Sequence, residues 1–126
     1  MKQFFYYLTL LTGLLLVFIG ARFLLLPMPA ETAFGIHTAT GGDYSFHYIK
    51  GIRDLFTGAI IVILLLAREF RAAGFLLLAG SIIPMVDFSI VMSHAGYETA
   101  RLYPHAIAVV LCLTLGFHYI RTTAKS

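Results

Sequence analysis

Four long apolar stretches dominate the chain, at about residues 4–26, 49–67, 72–91 and 104–120, each near the 20 or so residues a helix needs to cross a bilayer. Polar segments separate them. Residues 27–48 hold Pro27, Pro29, Gly35 and the pair Gly41 and Gly42, which predicts a long extramembrane connection with a short helical turn around Glu31 to Phe34. The "REFR" link between the second and third stretches is short enough to force a hairpin, and "SHAGYETARLY" joins the third to the fourth. The pattern predicts an all-α, integral membrane, antiparallel four-helix bundle in a single domain spanning 1–126. Lys2 ahead of an apolar run also resembles a signal peptide, but the run exceeds the usual 7–15 residues and reaches Arg22, so it reads as a retained helix.

Composition agrees with this reading. Of 126 residues, 60% are hydrophobic and 12% charged, and mean hydropathy is +0.88, whereas soluble domains carry roughly 25% charge. The formal charge of +3 does not point to nucleic acid, because the basic residues cap apolar runs and form no stripe. It sets topology instead. With a cytoplasmic N-terminus, Lys2, Arg68, Arg71, Arg121 and Lys125 all fall on the inner side, so both termini are expected in the cytoplasm and the chain in the plasma membrane. Cys112, alone in an apolar run, can form no intramolecular disulfide and reads as packing.

The exceptions to the apolar pattern share a depth. At 1.5 Å per residue from the inner end of each helix, Arg22 and Lys50 lie at about 27 Å, Arg53 and Asp54 at about 21–23 Å, and Asp87 and His105 at about 24 Å. Unpaired charge at that level costs on the order of 1–3 kcal/mol, so these groups are expected to turn inward and meet. Helical phase agrees: Lys50, Arg53, Asp54 and Thr57 fall in an arc of about 100°. Gly80, Asp87 and His94 share a face if their helix extends far enough, as do His105 and Cys112. Pro84 should free the carbonyl of Gly80, and Gly51, Gly58, Gly74 and Gly80 should permit close helix approach.

This layer suggests a polar pocket opening outward. Three positive charges, on Arg22, Lys50 and Arg53, face two negative ones on Asp54 and Asp87, which suits an anionic or carbonyl-bearing amphipathic ligand. Ligand binding is expected from Arg22, Lys50, Arg53 and His94. Asp54, Asp87 and His105 are the candidates for moving a proton, in a cofactor-independent isomerase or hydrolase. Phe18, Phe56, Phe88 and Tyr103 are candidate apolar walls. No metal is expected, since no histidine pair has i, i+4 spacing on a helix, and no cofactor fingerprint occurs. The plainer alternative is that the charges are ion pairs fixing helix register in an accessory subunit. A transporter would need a homo-oligomer to make room for alternating access. The remaining expected partners are membrane lipids.

The blocks "GARFLLLP", "KGIRDLFTG", "IPMVDFSIV" and "PHAIAVVL" resemble the successive motifs of the DUF4267 family, small four-helix membrane proteins with a DoxX-like architecture. The resemblance covers nearly the whole chain, and K-G-x-R-D is its most specific piece. It implies attention to Arg22, Lys50, Arg53, Asp54, Pro84, Asp87 and His105, and implies no particular reaction.

Overall fold

A computed structural model describes residues 2–124, which are helical apart from short connections and contain no strand. Lys125 lies outside the described residues. Helix α1 spans Lys2–Leu25, α2 Pro27–Phe34, α3 Ser45–Leu66, α4 Phe70–Gly80, α5 Ile82–Ser93 and α6 Tyr103–Thr123, with a 3-10 turn at Thr99–Arg101 before the last. Three helical stretches, Lys2–Leu25, Phe70–Ser93 and Thr99–Thr123, are long and apolar enough to cross a membrane. Helix α3 is of similar length, 22 residues, but carries Lys50, Arg53 and Asp54.

Local chemistry explains the boundaries. Leu26 precedes Pro27, whose ring disfavours the α region at the preceding residue; Leu26 adopts φ −134° and ψ 68°, and α1 ends there. Pro27 then opens α2, where its missing N–H costs nothing, and Gly35 closes it at φ 106° with its N–H on the carbonyl of Glu31. The expected turn within the outer connection is therefore an eight-residue helix. Helix α3 begins at Ser45, four residues before the hydropathy boundary, because Asp43 accepts hydrogen bonds from the N–H and hydroxyl of Ser45 at 3.0 and 2.6 Å. Those bonds, the hydroxyl's first, hold the Asp43 carboxyl below its ordinary value.

At the other end of α3, Arg68 takes the left-handed position with φ 62°. Its N–H reaches the carbonyl of Leu65 and that of Glu69 reaches Leu64, the paired bonds of a Schellman cap built without glycine. The apolar stretch 72–91 is interrupted, as α4 and α5 meet at Ser81. Its hydroxyl donates to the Leu78 carbonyl at 2.7 Å, and Pro84 supplies no N–H for Gly80.

Glycines set how closely the helices approach. A Cβ on Gly20 would stand 2.4 Å from the Leu55 nitrogen and 2.6 Å from the Gly51 oxygen, and one on Gly58 would stand 2.5 Å from the Gly13 oxygen. Gly13 thus faces Gly58 and Gly20 faces Gly51 across α1 and α3, while Gly74 faces Gly116 across α4 and α6. The expectation for Gly51, Gly58 and Gly74 holds. Gly80 is different: nothing lies within 4 Å of the Cβ it lacks, because it borders a cavity.

The main core gathers Ile61, Leu65, Leu77, Cys112, Leu115 and Tyr119. At its edge, buried Thr9 meets the Tyr119 hydroxyl at 2.9 Å, and the Phe5 and His118 rings stack with centroids 3.8 Å apart. A second cluster of Ile36, Val91 and Leu102 closes the other end beneath Phe34 and Phe88. Large apolar side chains such as Leu11, Ile49, Phe56, Val110 and Phe117 cover the outside, as suits contact with acyl chains.

Gly20→Ala should clash with backbone that cannot yield and cost about 1–3 kcal/mol. Gly80→Ala meets open space and should hold or raise stability by relieving the flexibility of a helical glycine. Thermal unfolding of both variants in detergent checks the contrast; equal melting points would refute it.

Candidate functional site

Lys50 lies on the buried face of α3, and Asp54, one turn on, receives its ammonium at 2.8 Å. Asp87 on α5 stands 3.6 Å from the same nitrogen. The close Gly20–Gly51 approach brings Phe23 of α1 over Lys50 with its ring centroid 5.1 Å from Nζ, and α2 contributes Phe34 at 4.7 Å. One ammonium is therefore held by two carboxylates and two ring faces drawn from four helices, and Lys50 is only 6% exposed.

Beside it lies a cavity of about 500 Å³. Arg22, Lys50, Asp54, Asp87 and His105 line it together with Phe23 and Phe34, while Leu16, Ile61, Leu77, Leu111 and Cys112 make its apolar wall. His105 and Cys112 share this surface as their seven-residue spacing predicts. His105 Nε2 lies 2.9 Å from the Phe34 carbonyl, which can only accept, so Nε2 carries the proton and Nδ1 is the nitrogen left to act as a base.

Two expected ligand residues lie elsewhere. Arg53 sits at the far edge of the α3 arc; it is 48% exposed, borders no part of the cavity, and approaches Asp54 Oδ1 at 3.8 Å from outside. His94 is not on the Asp87 face, because α5 ends at Ser93 and His94 turns into extended backbone at φ −77° and ψ 134°. Its Nδ1–H caps the Ile90 carbonyl at 2.9 Å. The expected aromatic walls also point elsewhere: Phe18, Phe56 and Tyr103 are exposed, and Phe88 packs in the outer cluster. Phe23 and Phe34 take that place.

Sequence reasoning missed the pair that fastens α2. Glu31, read there as an acid of the outer connection, is buried; its carboxylate accepts from His47 Nε2 at 3.0 Å and from the backbone N–H of Thr38. Burial pushes the Glu31 carboxyl up, but the bonds from His47 and Thr38 outweigh it and leave the group below its ordinary value. Among the described residues, the buried His47 Nδ1 has no hydrogen-bond partner. No periodicity links residues 31 and 47. The available signal was the frame of Pro27 and Gly35, which marks a true helix with a face to bury.

Among the described residues, no three His, Cys, Asp or Glu side chains are grouped to hold a metal ion.

The family described as a domain of unknown function, DUF4267, matches residues 13–119, a span that contains every residue lining this cavity except Thr12. The chain belongs to the DUF4267 family. No curated protein and no solved structure matches it.

Removing the ammonium should strand the buried Asp54 carboxylate and the half-buried Asp87 one. Lys50→Met should destabilise this DUF4267 protein by about 3–5 kcal/mol, and adding Asp87→Asn should restore part of the loss. Unfolding in detergent micelles checks both; a Lys50→Met variant as stable as the parent would mean that the ion pairs hold nothing together.

Proposed function

We propose that this protein is an antiparallel four-span bundle of the plasma membrane, with both termini cytoplasmic and α3 as the fourth span. Its cavity opens outward and binds a small amphipathic molecule. The facing glycines support the antiparallel arrangement, since positions ascending along α1, Gly13 then Gly20, meet positions descending along α3, Gly58 then Gly51. Lysine and arginine distribution supports the orientation, with Lys2, Arg68, Arg71 and Arg121 at one end of the helices. The pairing of Lys50 with Asp54 and Asp87 makes α3 tolerable in a bilayer despite its charges. A cysteine at Asp43 should accordingly react with an impermeant thiol reagent added to intact cells, and labelling confined to broken cells would reverse the orientation.

The observation that carries the binding reading is the cavity's two-sided character. An apolar wall along α1, α3, α4 and α6 runs into ionisable groups at one end, Arg22, Lys50, Asp54, Asp87 and His105. Pockets for amphipathic molecules need this combination of an apolar body and a few convergent polar groups. In a catalytic version, Arg22 and Lys50 orient or polarise a substrate oxygen, while Asp54, Asp87 or His105 Nδ1 transfers a proton, as an isomerase or hydrolase would require. The competing reading, that the charges only fix helix register in an accessory subunit, draws on the satisfaction of Lys50 by its two carboxylates.

Gly80→Leu separates the two. Gly80 lines the cavity and has open space where a side chain would grow, so leucine should fill the site without disturbing the backbone. The variant should melt no lower than the parent and lose a small molecule that co-purifies with it, read by mass spectrometry of the extracted protein. The absence of any such molecule from the parent, under mild extraction, would favour the accessory-subunit reading.

A further inference from the structure

The cavity's charges are not evenly spent. Lys50 engages both Asp54 and Asp87, and Arg53 leans on Asp54 from outside, so both carboxylates that line the cavity already have partners. Arg22 is left over. It lines the cavity and is half-buried, yet among the described residues no carboxylate lies within 4.0 Å of it; its guanidinium carbon stands 5.9 Å from the centre of the Phe18 ring. The exposed Phe18 ring offers no oxygen, so among the described residues the guanidinium fork has no carboxylate of its own.

Size narrows the occupant further. An apolar cavity of about 150 Å³ accepts benzene, roughly 25 Å³ for each carbon, so about 500 Å³ accommodates roughly 20 non-hydrogen atoms. That is one long chain with a compact head, and a two-chain phospholipid is far too large. The cavity is also extended, since along α1 alone its lining runs from Arg22 to Thr12, about 15 Å of helix. At its deeper end the wall is Ile61, Leu77 and Cys112.

We propose that the occupant is a single-chain long carboxylic acid, its carboxylate held by Arg22 and its hydrocarbon chain lying along the apolar wall of α1, α3, α4 and α6. This rests on the pocket reading above and commits it to one chemical class. A carboxylate carries one charge and matches one guanidinium that lacks a carboxylate partner, whereas a phosphate monoester brings about 1.5 to 2. Its two coplanar oxygens suit the two parallel N–H groups of a guanidinium, which an alcohol or an ammonium head does not.

The test uses the full chain in phosphatidylcholine nanodiscs, with radiolabelled hexadecanoic acid as probe and hexadecan-1-ol, hexadecyltrimethylammonium and hexadecyl phosphate as competitors. The acid should bind saturably, and the alcohol and the ammonium should compete at least ten-fold more weakly than unlabelled acid. Arg22→Gln should lower acid affinity at least ten-fold, to the level of the alcohol, with an unchanged melting point, while Arg22→Lys should recover part of it. Equal affinity for alcohol and acid, indifference to Arg22→Gln, or stronger competition by the phosphate would overturn the carboxylate assignment and leave the pocket reading standing. Failure of every single-chain amphiphile to bind, with Gly80→Leu also without effect on co-purifying molecules, would overturn both.

Discussion

The structure turns on one ammonium group. Lys50 sits almost fully buried in a chain with few charged residues, and stranding its charge among apolar side chains would cost several kcal/mol. Asp54 alone, from the same helix, gives a single close contact. The remaining compensation comes from Asp87 on α5 and from the faces of Phe23 on α1 and Phe34 on α2. Each helix that contributes is thereby tied to one point, and the cavity is the space these elements leave beside it.

That convergence depends on backbone proximity. Phe23 reaches Lys50 because Gly20 and Gly51 let α1 and α3 approach until a Cβ would strike peptide atoms. The same device at Gly13 and Gly58 keeps the two helices together deeper down, and Gly74 with Gly116 does so for α4 and α6. Where glycine is not used for contact, at Gly80, the space is open. The break at Ser81 and Pro84 lies at the same place, so interrupted backbone borders a cavity instead of lipid, the setting in which a membrane helix tolerates it.

Helix α2 completes the site. Ala30, Ala33 and Phe34 line the cavity, while the buried Glu31 beside them is fixed by His47 and Thr38. His105 adds a third tie by donating to the Phe34 carbonyl. A segment with the composition of an outer loop is thus a packed wall, and its only strongly polar side chain is consumed in holding it there.

Much of this was legible in the sequence. Length and apolar periodicity gave helices and their approximate ends, and the rarity of charge in such a chain made every ionisable residue informative. Equal depth picked out Arg22, Lys50, Asp54, Asp87 and His105, which the fold brings to one cavity. Depth fixes height along a helix but leaves the direction of each side chain open. Arg53, at the same height, therefore turned outward, and His94 left its face when α5 ended one residue early. The aromatic partners of Lys50, the Glu31–His47 pair and the facing of Gly13 with Gly58 join residues far apart in the chain. No local pattern carries such information. The amino-acid order by itself determined where charge had to be buried, because burial of each apolar stretch left it nowhere else to go. Only the packing of one helix against another decided which groups would neutralise that charge and which, like Arg22, would line the cavity with no carboxylate in reach among the described residues.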